Sequence, residues 1–138
     1  MARAAKLNRV KAITFDSNME TLTAGAAAVV SMGGYNTFCE VLSLDKRTLI
    51  VPRTVPRLEQ LVRATRATKL GLISMLPEDE KLDPAVMANA IRALPRQKLP
   101  SEVVIPGLLE GLPNVARLVA PWIMDAKQDR QALRALEK

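Results

Sequence analysis

The sequence contains no histidine and a single cysteine, Cys39. The first absence removes the commonest general base and the commonest metal ligand. The second rules out an intramolecular disulfide framework and fits a reducing compartment, so a cytoplasmic location is expected. Together they remove the usual donor set of a zinc site. Aromatic residues make up only 3% of the chain, as Phe15, Tyr35, Phe38 and Trp122. Proteins that hold single-stranded nucleic acid stack bases on clustered aromatics, and the sequence has no such cluster, so no specific nucleic-acid partner is expected. No apolar run reaches the roughly 18 residues of a membrane-spanning helix. The basic N-terminus MARAAKLNRVKA lacks the long apolar core of a secretory signal. Internal repeats and low-complexity segments are absent too.

What is present suits one domain with a real core: 138 residues, 49% of them hydrophobic. The net charge of +6 attracts phosphate, whether of a nucleotide, a nucleic acid or a membrane surface, and does not choose among them.

Short apolar runs alternate with helical patterns along the chain. VKAITF (10–15) reads as a strand. Residues 16–26 read as a helix capped by Asp16 or Ser17 with Glu20 in its first turn. AAVVSM (27–32) is a continuous apolar run, the pattern of a strand buried on both faces. Residues 35–45 read as a helix and RTLIV (47–51) as a second buried strand. A helix is expected over 56–71, opened by Pro56 and stopped by Gly71, with Leu58, Leu61 and Val62 inward and Arg57, Arg63, Arg66 and Lys69 in water. LISML (72–76) reads as a strand. Residues 82–94 read as a helix capped by Asp83, with Val86, Met87, Ala90, Ile91 and Leu94 inward. This alternation predicts an α/β fold with a parallel sheet covered by helices. Residues 95–113 are rich in proline and glycine and read as loop, and 114–138 as a helix interrupted by Pro121.

The chain has six glycines, and two of them, Gly33 and Gly34, sit side by side in SMGGYNT between a strand and a helix. Ligands in an open α/β sheet bind at the carboxyl ends of the strands. Glycine admits a positive φ and a close backbone approach, and the following helix offers free N–H groups to an anion. A tight turn needing glycine for geometry alone explains the pair equally well. With neither G-x-G-x-x-G nor GK[ST] present, a dinucleotide fingerprint and a Walker loop are disfavoured. Glu40 lies three residues after Thr37 and four after Asn36, so the three share a helix face. Its carboxylate is oriented toward the helix N-terminus, where it suits a ribose diol; a solvated helix glutamate is the alternative.

The segment SMGGYNTFCEVLSLDKRTLIVPRTVPRLEQLVRA resembles the donor-binding C-terminal domain of family 28 GT-B glycosyltransferases, with a GGYNT…E…VPR…EQ signature over roughly residues 13–94. The resemblance implies a Rossmann-like parallel sheet and a nucleotide-sugar donor, with UDP and an N-acetylhexosamine as the expected pair. It implies that Gly33, Gly34, Asn36 and Thr37 hold the diphosphate, that Glu40 binds ribose and that Glu59 and Gln60 bind the donor sugar. The nucleobase is expected near Phe15 and Asp16. Arg53 and Arg57 flank the site and are candidate phosphate contacts, with solvated loop arginines as the alternative. Met32 stands where relatives often carry a polar or basic residue. No metal or other cofactor is expected, since the nucleotide sugar is a substrate.

The resemblance also implies an incomplete enzyme. Residues 1–94 are expected to form a partial nucleotide-sugar-binding domain and 95–138 a loop and helical tail. The acceptor domain and its general base are expected from a partner chain or from a longer protein, so the chain alone is not expected to catalyse transfer. Self-association through an open sheet edge is expected, and peripheral membrane contact is expected only through a full-length enzyme. Two other classes stay open: a noncatalytic oligomerisation or scaffold module that keeps the fold, and a basic nucleic-acid binder.

Overall fold

The computed structural model describes residues 7–76, 83–103 and 105–136. The chain divides into two compact units, Met1–Val103 and Val104–Lys138.

In the first unit three parallel strands form a sheet in the order β1 (Ala28–Ser31), β2 (Arg47–Ile50), β3 (Ser74–Met75). Ala28 pairs with Arg47 and Ser31 with Ile50; Leu49 pairs with Ser74 and Ile50 with Met75. The three segments are therefore adjacent and parallel, as their apolar runs predict. Four helices accompany them: α1 (Met19–Gly25), α2 (Tyr35–Ser43), α3 (Glu59–Lys69) and α4 (Pro84–Ala93). The fold is α/β and Rossmann-like.

The central strand carries the core. Thr48, Leu49 and Ile50 are all buried, and successive side chains on a strand face opposite sides. Leu49 clusters with Leu76 and Leu94, and Val86, Met87 and Ala90 of α4 pack against that cluster. Thr48 is the one buried polar residue among those described, and its hydroxyl donates to the Lys46 carbonyl at 2.9 Å, so its burial leaves no donor unpaired.

Helix ends explain why the strands start where they do. Helix α3 closes with Gly71 at φ 76°, whose N–H donates to the Thr68 carbonyl at 2.9 Å, while the Leu72 N–H donates to that of Ala67 at 3.0 Å. This pair of bonds turns the chain straight into the buried run Leu72–Ile73. The end of α2 repeats the pattern with Asp45 in the left-handed position, at φ 55°, and bonds from Asp45 to Leu42 and from Lys46 to Val41. The Asp45 carboxylate then accepts from the Ser101 N–H and hydroxyl, both at 2.8 Å. Asp83 caps α4 as predicted, its Oδ1 accepting from the Ala85 N–H at 2.7 Å.

Several expectations fail for identifiable reasons. VKAITF is not a strand: Ile13 is 41% and Phe15 85% exposed, and residues 7–18 lie in no strand of the sheet, so nothing pairs their backbone. Helix α1 starts at Met19 with Asn18 before it, because the Asp16 carboxylate accepts from the Asn18 N–H at 2.8 Å and closes a turn there. Strand β1 is not buried as expected: Ala28, Val29 and Ser31 are half-buried and Val30 is 46% exposed, since the strand lies at the margin of the described sheet. Helix α3 starts at Glu59 rather than Pro56. The Gln60 Oε1 accepts from the Arg53 N–H at 3.0 Å and the Val55 carbonyl from Arg53 Nε at 2.8 Å, which closes the preceding residues into a loop. Its buried residues are Ala64 and Ala67; of the expected Leu58, Leu61 and Val62, Leu61 is half-buried and the other two are exposed.

The second unit contains a turn over residues 106–109 and helix α5 (Gly111–Leu136), with Pro121 inside it. The helix begins three residues earlier than its pattern suggests, and the Asn114 N–H donates to the Glu110 carbonyl at 3.0 Å. None of the described helices is long and apolar enough to cross a membrane.

Candidate functional site

Two βα loops leave the carboxyl ends of neighbouring parallel strands, the position where α/β sheets hold ligands. The first runs from β1 through Met32, Gly33 and Gly34 into α2. The second runs from β2 through residues 51–58 into α3 and contains a cis peptide between Val55 and Pro56.

The two glycines have different reasons to be glycine. Gly33 is buried at φ 74°, and a Cβ there would stand 2.8 Å from Ile50 Cγ2. The fold alone therefore requires glycine at this position. Its N–H donates to the Ser31 hydroxyl at 3.2 Å. Gly34 has φ -53° and ψ 152°, ordinary extended backbone, and a Cβ added there meets nothing within 4 Å. The turn leaves Gly34 without a structural need for glycine.

Gly34 is also the N-cap of α2 and offers no side chain to cap it. The N–H groups of Tyr35, Asn36 and Thr37 open the helix, where intrahelical partners are lacking and the helix dipole favours an anion. Asn36 is exposed and Thr37 half-buried. One turn further on, Glu40 is half-buried, and its Oε1 is enclosed with no hydrogen-bond partner. An orphaned buried acceptor costs on the order of 1–3 kcal/mol. A site that keeps one gains by receiving a donor from outside.

The second loop forms a cleft of about 190 Å³ lined by Arg53, Val55, Pro56, Arg57, Glu59 and Gln60. Four of the sequence-predicted residues thus meet around one cavity: Arg53, Arg57, Glu59 and Gln60. Gln60 accepts from the Arg53 N–H through its amide oxygen, and Glu59 is exposed. Gly33, Gly34, Asn36, Thr37 and Glu40 are grouped separately on the β1–α2 turn and do not line this cleft.

Arg63 joins the two groups. From α3 its Nη1 donates to the Gly33 carbonyl at 2.8 Å. Its guanidinium carbon lies 5.4 Å from the centre of the Tyr35 ring and 5.9 Å from that of Phe38, both on α2. The sequence reading put Arg63 in water. The signal that finds it is spacing: Arg63 follows Glu59 by four residues and Gln60 by three, which places all three on one helix face.

Phe15 is 85% exposed, and the Asp16 carboxylate is engaged by the Asn18 N–H. Met32 is exposed beside the glycine turn. Among the described residues no group of three His, Cys, Asp or Glu side chains stands close enough to hold a metal ion.

Comparison with known proteins gives a concordant result. Residues 2–103 match the profile of the glycosyltransferase family 28 C-terminal domain. The chain is 26% identical over 117 residues to the UDP-N-acetylglucosamine--N-acetylmuramyl-(pentapeptide) pyrophosphoryl-undecaprenol N-acetylglucosamine transferase of Haemophilus influenzae strain Rd, covering 85% of this chain and 33% of the relative. The same enzyme from strain PittEE matches with the same identity and coverage. The chain spans about a third of the length of these relatives. No solved structure gives a significant match.

Proposed function

The chain belongs to the glycosyltransferase family 28 C-terminal domain family, and on that premise we propose that it is the donor-binding part of a glycosyltransferase, holding a nucleoside-diphosphate sugar at the carboxyl ends of β1 and β2. UDP-N-acetylhexosamine is the donor proposed, since the similar transferases are named for UDP-N-acetylglucosamine. The diphosphate is assigned to the open N-terminus of α2, at Gly34, Asn36 and Thr37, and Gly33, whose N–H and carbonyl are held by Ser31 and Arg63, to the turn that positions them. Glu40 is assigned to the ribose hydroxyls, and Glu59 and Gln60 to the sugar. Arg53 and Arg57 are assigned to the phosphates from the side of the cleft.

The observation that carries this reading is the Glu40 carboxylate oxygen, buried and unpartnered on the helix whose N-terminus is uncapped. A ribose diol supplies two O–H donors, and a rotation of the Glu40 side chain that brings its enclosed oxygen to the diol would satisfy that acceptor. The α2 N-terminus supplies main-chain N–H groups for the diphosphate. Group transfer also needs an acceptor hydroxyl and a base to take its proton. We assign those to another domain or a partner chain, and the role of this chain is to bind and orient the donor.

Titration calorimetry with UDP tests the reading. Wild type is expected to bind, and Glu40→Ala to bind about 1.5–3 kcal/mol more weakly, the range for a hydrogen bond to a charged group. The ligand-free melting temperature is expected to hold or rise in the variant, because an orphaned acceptor is removed. Wild type that fails to bind UDP, or a variant that binds it equally well, overturns the assignment.

A further inference from the structure

We propose that Arg63 is a positioning residue that sets the direction of the Gly33–Gly34 peptide and thereby presents the Gly34 N–H to the anion. The inference rests on the donor-binding reading of the same turn and adds a residue to it.

The argument starts from peptide geometry. In a trans peptide the carbonyl and the following N–H point in opposite directions. The Gly33 carbonyl is drawn toward α3 by Arg63 Nη1 at 2.8 Å. The Gly34 N–H of the same peptide therefore points away from α3. On the other side of Gly33, its own N–H is held by the Ser31 hydroxyl. Two neighbouring glycines otherwise leave this peptide free to flip, because neither residue has a Cβ to oppose it. The rings of Tyr35 and Phe38 hold the guanidinium from α2. Arg63 so links the strand-end turn, the helix that follows it and the helix bearing Glu59 and Gln60. A bond from a charged donor to a carbonyl is about twice as strong as a neutral one, which suits a brace that must outweigh glycine flexibility.

The test uses the full 138-residue chain, labelled with ¹⁵N, and two probes, UDP and uridine. Arg63→Met keeps an apolar stem against the rings and removes the donor; Arg63→Lys restores a charged donor on a stem nearly as long. In ligand-free Arg63→Met the Gly34 amide signal is expected to move or broaden. Its UDP affinity is expected to fall about tenfold with uridine affinity unchanged, and Arg63→Lys to recover part of the loss. A folded Arg63→Met with an unmoved Gly34 amide and wild-type UDP affinity overturns the proposal, as does an equal loss for uridine, which marks a general structural effect. If Arg63→Met does not fold, the wild-type guanidinium decides: hindered rotation of the Arg63 Nη groups supports the brace and free rotation overturns it. Wild type that fails to bind UDP sinks the donor reading, and the brace is then judged on the ligand-free Gly34 amide and the guanidinium alone.

Discussion

Gly33 and Gly34 are adjacent and chemically identical, and a single added carbon should separate them. At Gly33 a Cβ collides with Ile50 and forces a left-handed φ on an ordinary residue, so Gly33→Ala is expected to destabilise the fold by about 2 kcal/mol or more. At Gly34 the space is open and the backbone ordinary, so Gly34→Ala is expected to cost no more than about 1 kcal/mol, the difference between glycine and alanine at an N-cap. Urea melts of the two variants check both values. Gly34→Val is expected to fold and to lose the stabilisation by UDP that wild type shows, about 2.7 kcal/mol at 100 times the dissociation constant. A folded Gly34→Val with the full gain would remove the phosphate role from this position.

At the scale of elements, sequence patterns reveal what local chemistry decides and miss what neighbours decide. The apolar runs at β1, β2 and β3 mark strands because parallel strands are buried. Asp83 marks the start of α4 because capping is a local bond, and Asp83→Ala is expected to cost about 1 kcal/mol in stability, measurable by chemical denaturation. VKAITF looks like a strand by composition, yet a strand exists only with a partner, and none is described beside it. The inner face of α3 is misread because Leu58 precedes the helix and Val62 falls on its exposed side, while the small Ala64 and Ala67 are buried. Of the candidate site, the glycine turn and the Glu59–Gln60 pair stand out in sequence as short motifs and Glu40 by its spacing from Asn36 and Thr37. Arg63 is not, because its bond crosses 30 residues of chain to reach Gly33.

At the scale of the whole molecule, the family match ends at residue 103, where the first compact unit also ends. The buried apolar residues described, from Val41 to Leu94, all belong to that unit. A chain ending at Val103 is therefore expected to keep a cooperative thermal transition and the UDP-induced rise in melting temperature, both readable by circular dichroism. Loss of cooperativity would show that residues 104–138 complete the core. The net charge of +6 leads us to expect UDP affinity to fall as salt is raised, by screening of the exposed arginines.

The contrast within the glycine pair also offers a way to sort relatives. A descendant that kept this architecture for assembly alone would still need glycine at position 33, where Ile50 leaves no room. It would be released from glycine at position 34. Related chains in which the second glycine has drifted while the first persists should then be the ones that no longer bind nucleotide, and a binding survey across such pairs would show whether a single position dates the loss.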